Sequence, residues 1–187
     1  MRPSIIVPFA FIALAAQAGI APGGTIDSRA IDPARSKAAF SVTHIFVERV
    51  TGTVPINSGT VVLNPGSAIP LRATAALDAT RIATGDPDRD ASLSSPDFFD
   101  TKRFPTWTFT STSIVPHGTA AFEMDGTLSI HGVAQLAKLD VTVEGATASP
   151  SYHATARIDR HTFGMATTRL DPAIGGVADV TLDIRLK

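Results

Sequence analysis

Cysteine is absent from the 187 residues. That excludes disulfides, thiolate zinc sites, iron–sulfur clusters, cysteine nucleophiles and lipid attachment at a cysteine. Packing and backbone hydrogen bonding must hold the fold. An excess of one charge is also missing: 16 Lys and Arg stand against 17 Asp and Glu, a net charge of -1. Domains that grip phosphates show clustered basic residues and a high pI, so nucleic acid is not an expected partner. The chain has one Trp and one Tyr, too few for the aromatic girdles of an outer-membrane barrel. No G-x-S-x-G elbow, P-loop, dinucleotide fingerprint or H-E-x-x-H occurs, and the histidines at 44, 117, 131, 153 and 161 show no close pair at ligand spacing. Neither catalysis, nor a metal, nor a cofactor is expected.

Long apolar runs are likewise scarce. The one that stands out extends from Ile5 to Ala16, follows Arg2, is interrupted by Pro8, and leads into Ala16-Gln17-Ala18. A basic start, a short apolar centre and an A-x-A site read as a secretory signal peptide. The run falls short of the ~20 residues a membrane-spanning helix needs. The expected organisation is a cleaved signal peptide over 1–18, a flexible segment over 19–25 and one domain over 26–187. The expected location is periplasmic or secreted.

What the chain does have is alternation. Phe40, Val42, His44 and Phe46 alternate with Ser41, Thr43, Ile45 and Val47. Trp107 and Phe109 alternate with threonines, Leu128 and Ile130 with Thr127 and Ser129, and Ala137, Leu139, Val141 and Val143 with Lys138, Asp140, Thr142 and Glu144. Val180, Leu182, Ile184 and Leu186 repeat the pattern at the end. A period of two marks strands with one buried and one wet face. Asn57-Ser58-Gly59, Asn64-Pro65-Gly66, Pro116-His117-Gly118 and Asp125-Gly126 are the expected turns. Asp86 followed by Pro87 predicts a capped helix over about residues 87–95, ended by Pro96. The expected fold is all-β: an eight-stranded antiparallel barrel with one short helix, whose interior is either filled or open to one small ligand.

Several motifs then carry a resemblance. Arg35-Ser36, Phe40-Ser41-Val42-Thr43-His44, Ile82-Ala83-Thr84-Gly85, Arg89-Asp90, Leu93 to Asp100, Phe104 to Ser111, Gly126 to Val133 and Arg160 to Gly164 are together similar, in order and spacing, to the YceI-like family of exported polyisoprenoid-binding proteins. The resemblance covers roughly residues 26 to 187. It implies a lipocalin-like barrel, an isoprenoid lipid such as a polyprenyl phosphate or a quinone tail as ligand, export to the periplasm, and frequent homodimers. The chain departs from the family where Arg35 and Ser92 replace a frequent His, and where Ala134-Gln135-Leu136 replaces a Thr-basic-Pro run.

An isoprenoid tail offers no polar atoms, so its affinity must come from apolar area removed from water, about 0.8 kcal/mol per buried CH₂. The expected lining is Phe40, Val42, Phe46, Trp107, Phe109, Leu128, Ile130, Leu139, Val141 and Phe163. His44 shares their face and is the polar candidate within it. Arg89 and Asp90 at the helix start, and Arg160 before Phe163-Gly164, are candidates either for the head group or for structural ties. The alternatives are an interaction or stress-response module with a filled barrel, and a hydrolase.

Overall fold

The structure, a computed structural model, describes residues 26–44, 48–165 and 173–187. The expected signal peptide, the segment 19–25 and Phe46 lie outside the described residues. The chain runs through β1 (Asp27–Ala30), β2 (Lys37–His44), β3 (Glu48–Thr53), β4 (Ile56–Leu63), β5 (Pro70–Asp78), α1 (Pro87–Ser94), β6 (Thr106–Pro116), β7 (Ala121–Ile130), β8 (Val133–Glu144), β9 (Ser151–Asp159) and β10 (Val177–Arg185). All pairings between strands are antiparallel, in the order β1-β4-β5-β6-β7-β8-β9-β10-β2-β3.

The class and the single short helix agree with the sequence reading, whereas the strand number does not. Ten strands stand among the described residues where eight were expected. One cause is the turn between β1 and β2. There Pro33 interrupts the ladder, and Asp32 accepts a hydrogen bond from Ala34 N and another from Arg35 Nε. Both flanking segments still face the β10 arm: β2 pairs with Asp179–Asp183, and Ile31 bridges Leu186. Closure is also not a continuous ladder. The edges of the curled sheet are tied back by isolated bridges, with Asp32 N donating to Arg185 O at 2.8 Å and Thr53 N to Ala83 O at 2.8 Å.

Two expected turns are strand interior. Asn57-Ser58-Gly59 lies in β4 and Asp125-Gly126 in β7. Their glycines serve close packing: a Cβ at Gly59 would sit 2.4 Å from the Ile31 side chain, and one at Gly126 would sit 2.3 Å from the Phe109 ring. The turn between β7 and β8 instead uses His131 (φ 54) and Gly132 (φ 75), a two-residue hairpin with both central residues left-handed. His131 thus occupies a turn rather than a strand, with its ring edge-on to Phe104 at 5.2 Å.

Burial divides the inner face into two cores. The first joins Leu63, Phe122, Met124, Leu139, Val141, Tyr152 and Ala154 among others; the second joins Val54, Ala79, Ile82, Trp107, Ile130, Phe163 and Met165. They lie at opposite ends of the same strands. β7 passes from Phe122 in the first to Ile130 in the second, and β6 runs the other way from Trp107 towards Ile114. Leu77 packs against both.

Candidate functional site

Between the two cores the inner face is apolar but incompletely packed. Phe40, Phe109 and Leu128 are only half-buried there, while Trp107, Ile130 and Phe163 fill one end and Leu139 and Val141 fill the other. Val42 is half-buried further along β2, outside both cores. Alternation alone did not point to Ala73, Ala75, Leu77, Ala156 and Ile158, which are half-buried and pack against the same cores. Their signal is faint because alanine contrasts little with the polar residues beside it.

The rings of Phe40 and Phe109 keep to the wall. Phe40 is registered opposite Gly52, and a Cβ on that glycine would meet the Phe40 ring at 2.4 Å. Phe109 lies over Gly126 in the same way. A ring laid on a neighbouring strand's glycine lies along the wall and does not cross the centre. An open depression of about 290 Å³ is lined mainly by Ser58, Thr60, Thr74, Ala76, Thr108 and Thr110. These alternate with the inward Ala75, Trp107 and Phe109, so it opens on the outer, wet face of β4, β5 and β6 and not between the cores.

The second end is covered by an insertion between β5 and β6 that carries α1. Asp86 caps α1 by accepting from Asp88 N and Arg89 N, and Pro87 takes the first helical position, as the sequence predicts. Leu93 and Phe99 then turn towards the core, with the Phe99 ring 4.7 Å from that of Trp107. Trp107 is 7% exposed, and its Nε1–H has no acceptor among the described residues. Indole nitrogen is a donor only, and leaving a buried donor unpaired costs about 1–3 kcal/mol.

The polar candidates are mostly structural ties. Asp90 accepts from both Thr84 N (2.8 Å) and Thr84 Oγ1 (2.6 Å), and Arg89 Nε donates to the same hydroxyl at 2.9 Å. Arg160 is buried and donates to the carbonyls of Met165, Ile174 (2.8 Å) and Gly175 (2.9 Å), which clasps the chain entering β10. The turn it opens, Arg160–Phe163, is a 3-10 turn ended by Gly164 at φ 81. His44 Nδ1 is buried and lies 3.6 Å from Glu48 Oε2 across the β2–β3 hairpin. At the opposite end the sole tyrosine is satisfied: Tyr152 donates to Ala68 O at 2.9 Å, and burial pushes its phenol up to about 12.

This curled antiparallel sheet with a helical insertion matches the model of the YceI-like domain over residues 30–187. The chain belongs to the YceI-like family. A relative of this YceI-like chain, the UPF0312 protein VPA0850 of Vibrio parahaemolyticus, is 23% identical over 194 residues, covering 100% of this chain and 98% of its own. A UPF0312 protein of Pseudomonas syringae pv. syringae is 24% identical, covering 67% and 69%. Among solved structures, BcnA of Burkholderia cenocepacia superposes with a TM-score of 0.74 at 23% identity, covering 82% of this chain and 98% of that one. A polyisoprenoid binding domain from Saccharophagus degradans superposes with a TM-score of 0.66 at 15% identity, covering 84% and 97%. At these identities the structures show a shared fold.

Proposed function

We propose that this YceI-like protein is an exported carrier or sequestering protein that shields an isoprenoid lipid, a polyprenyl phosphate or a quinone-type tail, within its curled sheet. The observation that carries the reading is the strip of half-buried apolar side chains, Phe40, Phe109 and Leu128 foremost, between two packed cores. The wall glycines support it by letting the two rings lie flat. The Saccharophagus neighbour, a polyisoprenoid binding domain, points to the same ligand class. Export rests on the N-terminal apolar segment described above.

The mechanism is passive. Each methylene withdrawn from water contributes about 0.8 kcal/mol, so a tail of a few isoprene units supplies useful affinity without any polar contact. The protein contributes shape, and no bond is made or broken. Mass spectrometry of an organic extract tests this, using protein purified from a bacterial periplasm beside an unrelated exported protein. An isoprenoid present in stoichiometric amount is expected. A clean extract that stays clean after polyprenyl lipids are offered in vitro would overturn the reading and favour an interaction module with a filled interior.

A further inference from the structure

The insertion over residues 84–103 is tied to itself and not to the sheet it covers. Its polar contacts run from Thr84 to Asp90 and Arg89, from Asp86 to the start of α1, from Leu93 O to Phe99 N, and from Asp100 O to Phe104 N. Among the described residues, no hydrogen bond or ion pair joins 84–103 to a strand. What docks it is apolar: Leu93 and Phe99 against the core that contains Trp107. Beneath it lies the buried indole of Trp107, whose donor has no partner among the described residues.

The buried and half-buried cations at this end are already committed, Arg89 to Thr84 and Arg160 to three backbone carbonyls. Arg81, Lys102 and Arg103 are exposed, so a phosphate drawn in beside the buried Nε1 would leave those cations at the surface, and burying an unpaired charge is far costlier than burying a carbonyl. An uncharged oxygen is the acceptor that suits the Trp107 donor.

We propose that Trp107 Nε1 donates a hydrogen bond to an uncharged oxygen of the bound isoprenoid, a quinone or similar carbonyl, and that residues 84–103 form the cap that lifts to admit it. The inference rests on the isoprenoid reading above and specifies which end of the ligand lies at Trp107. Nε1 has essentially no exposed surface, so an acceptor reaches it only when something yields. A cap held by side-chain contacts alone yields before strands held by ladders.

The test compares ubiquinone-2, a quinone with two isoprene units, with squalene, an isoprenoid without oxygen. Both are titrated into the purified protein and into Trp107→Phe, with affinity read by calorimetry. In ¹⁵N-labelled wild type the sole tryptophan gives a single indole N–H resonance. The quinone should move that resonance downfield. Trp107→Phe should weaken quinone binding by roughly tenfold, the loss of one hydrogen bond, and leave squalene binding within about twofold. Squalene binding with equal quinone affinity in both proteins, or an indole resonance that the bound quinone leaves in place, would overturn the donor role while sparing the carrier reading. If neither ligand binds the wild type, the carrier reading itself falls and this inference with it. The resonance is read in the native chain, so the test survives even if the variant folds poorly.

Discussion

The two ends of this sheet are closed by different means. At one end the strands supply their own plug: Phe122 and Tyr152 meet edge to face at 6.0 Å, Leu63 is 1% exposed, and the tyrosine hydroxyl is paired. At the other, the closing residues Leu93 and Phe99 arrive on an inserted segment, and the indole beneath them is unpaired among the described residues. A plug made of strand side chains cannot leave without breaking ladders. A plug made of an insertion can. Under the proposed function, the first end would carry stability and the second would admit the ligand.

The sharpest way to break this comparison is to damage the first end. Phe122→Ala empties a site 2% exposed and should cost about 3–5 kcal/mol, read as a shift in urea midpoint, with unchanged isoprenoid stoichiometry in the molecules that remain folded. Loss of lipid from a folded Phe122→Ala protein would contradict the division of roles. Next in size is Gly126→Ala, whose new Cβ would lie 2.3 Å from the Phe109 ring and 2.7 Å from Thr110 O. Overpacking there should cost about 1–3 kcal/mol and push the ring off the wall, lowering isoprenoid affinity measured by calorimetry. Asp90→Ala removes two hydrogen bonds to Thr84 and should cost about 1 kcal/mol, loosening the cap while leaving exchange in β7 and β8 unaltered.

The smallest effect concerns the sole tyrosine. Its pKa in the folded state is raised from 10.0 to about 12 by burial, so the neutral phenol is favoured by folding. That contribution is complete below pH 10 and is lost as pH rises towards 12. Titration by tyrosinate absorbance should give a midpoint near 12 in the native protein. A midpoint near 10 would mean that the first end is wetter than its packing shows.

Much of the fold was legible because apolar residues alternate with charged ones. β8 sets Ala137, Leu139 and Val141 against Lys138 and Asp140, and the pattern needs no tertiary information. The α1 cap was equally legible, since Asp86-Pro87 is a local signal. β5 and β9 were harder. Their inward positions include Ala73, Ala75, Ala154 and Ala156, where the sheet wants little volume and the pattern flattens. Gly59 and Gly126 misled for a related reason. A glycine that makes room for Ile31 or Phe109 looks, in sequence, like one that makes a turn.

Of the candidate site, parity placed Phe40, Phe109 and Leu128 on one face. It could not say that Trp107, Ile130 and Phe163 pack into one core while Leu139 and Val141 pack into another. Burial is a property of all strands together, and no window of one strand contains it. Arg89, Asp90 and Arg160 were legible as candidates for structural ties, but not their partners: Arg89 and Asp90 close on Thr84 within their own insertion, and Arg160 on the backbone of Ile174 and Gly175.

Amide hydrogen exchange across residues 84–103 and 121–144, with and without a bound isoprenoid, tests the central claim most directly. The account predicts that 84–103 exchanges as a unit through a local opening well below the free energy that protects β7 and β8, and that lipid slows it. Exchange at 84–103 as slow as in those strands, and indifferent to lipid, would contradict it.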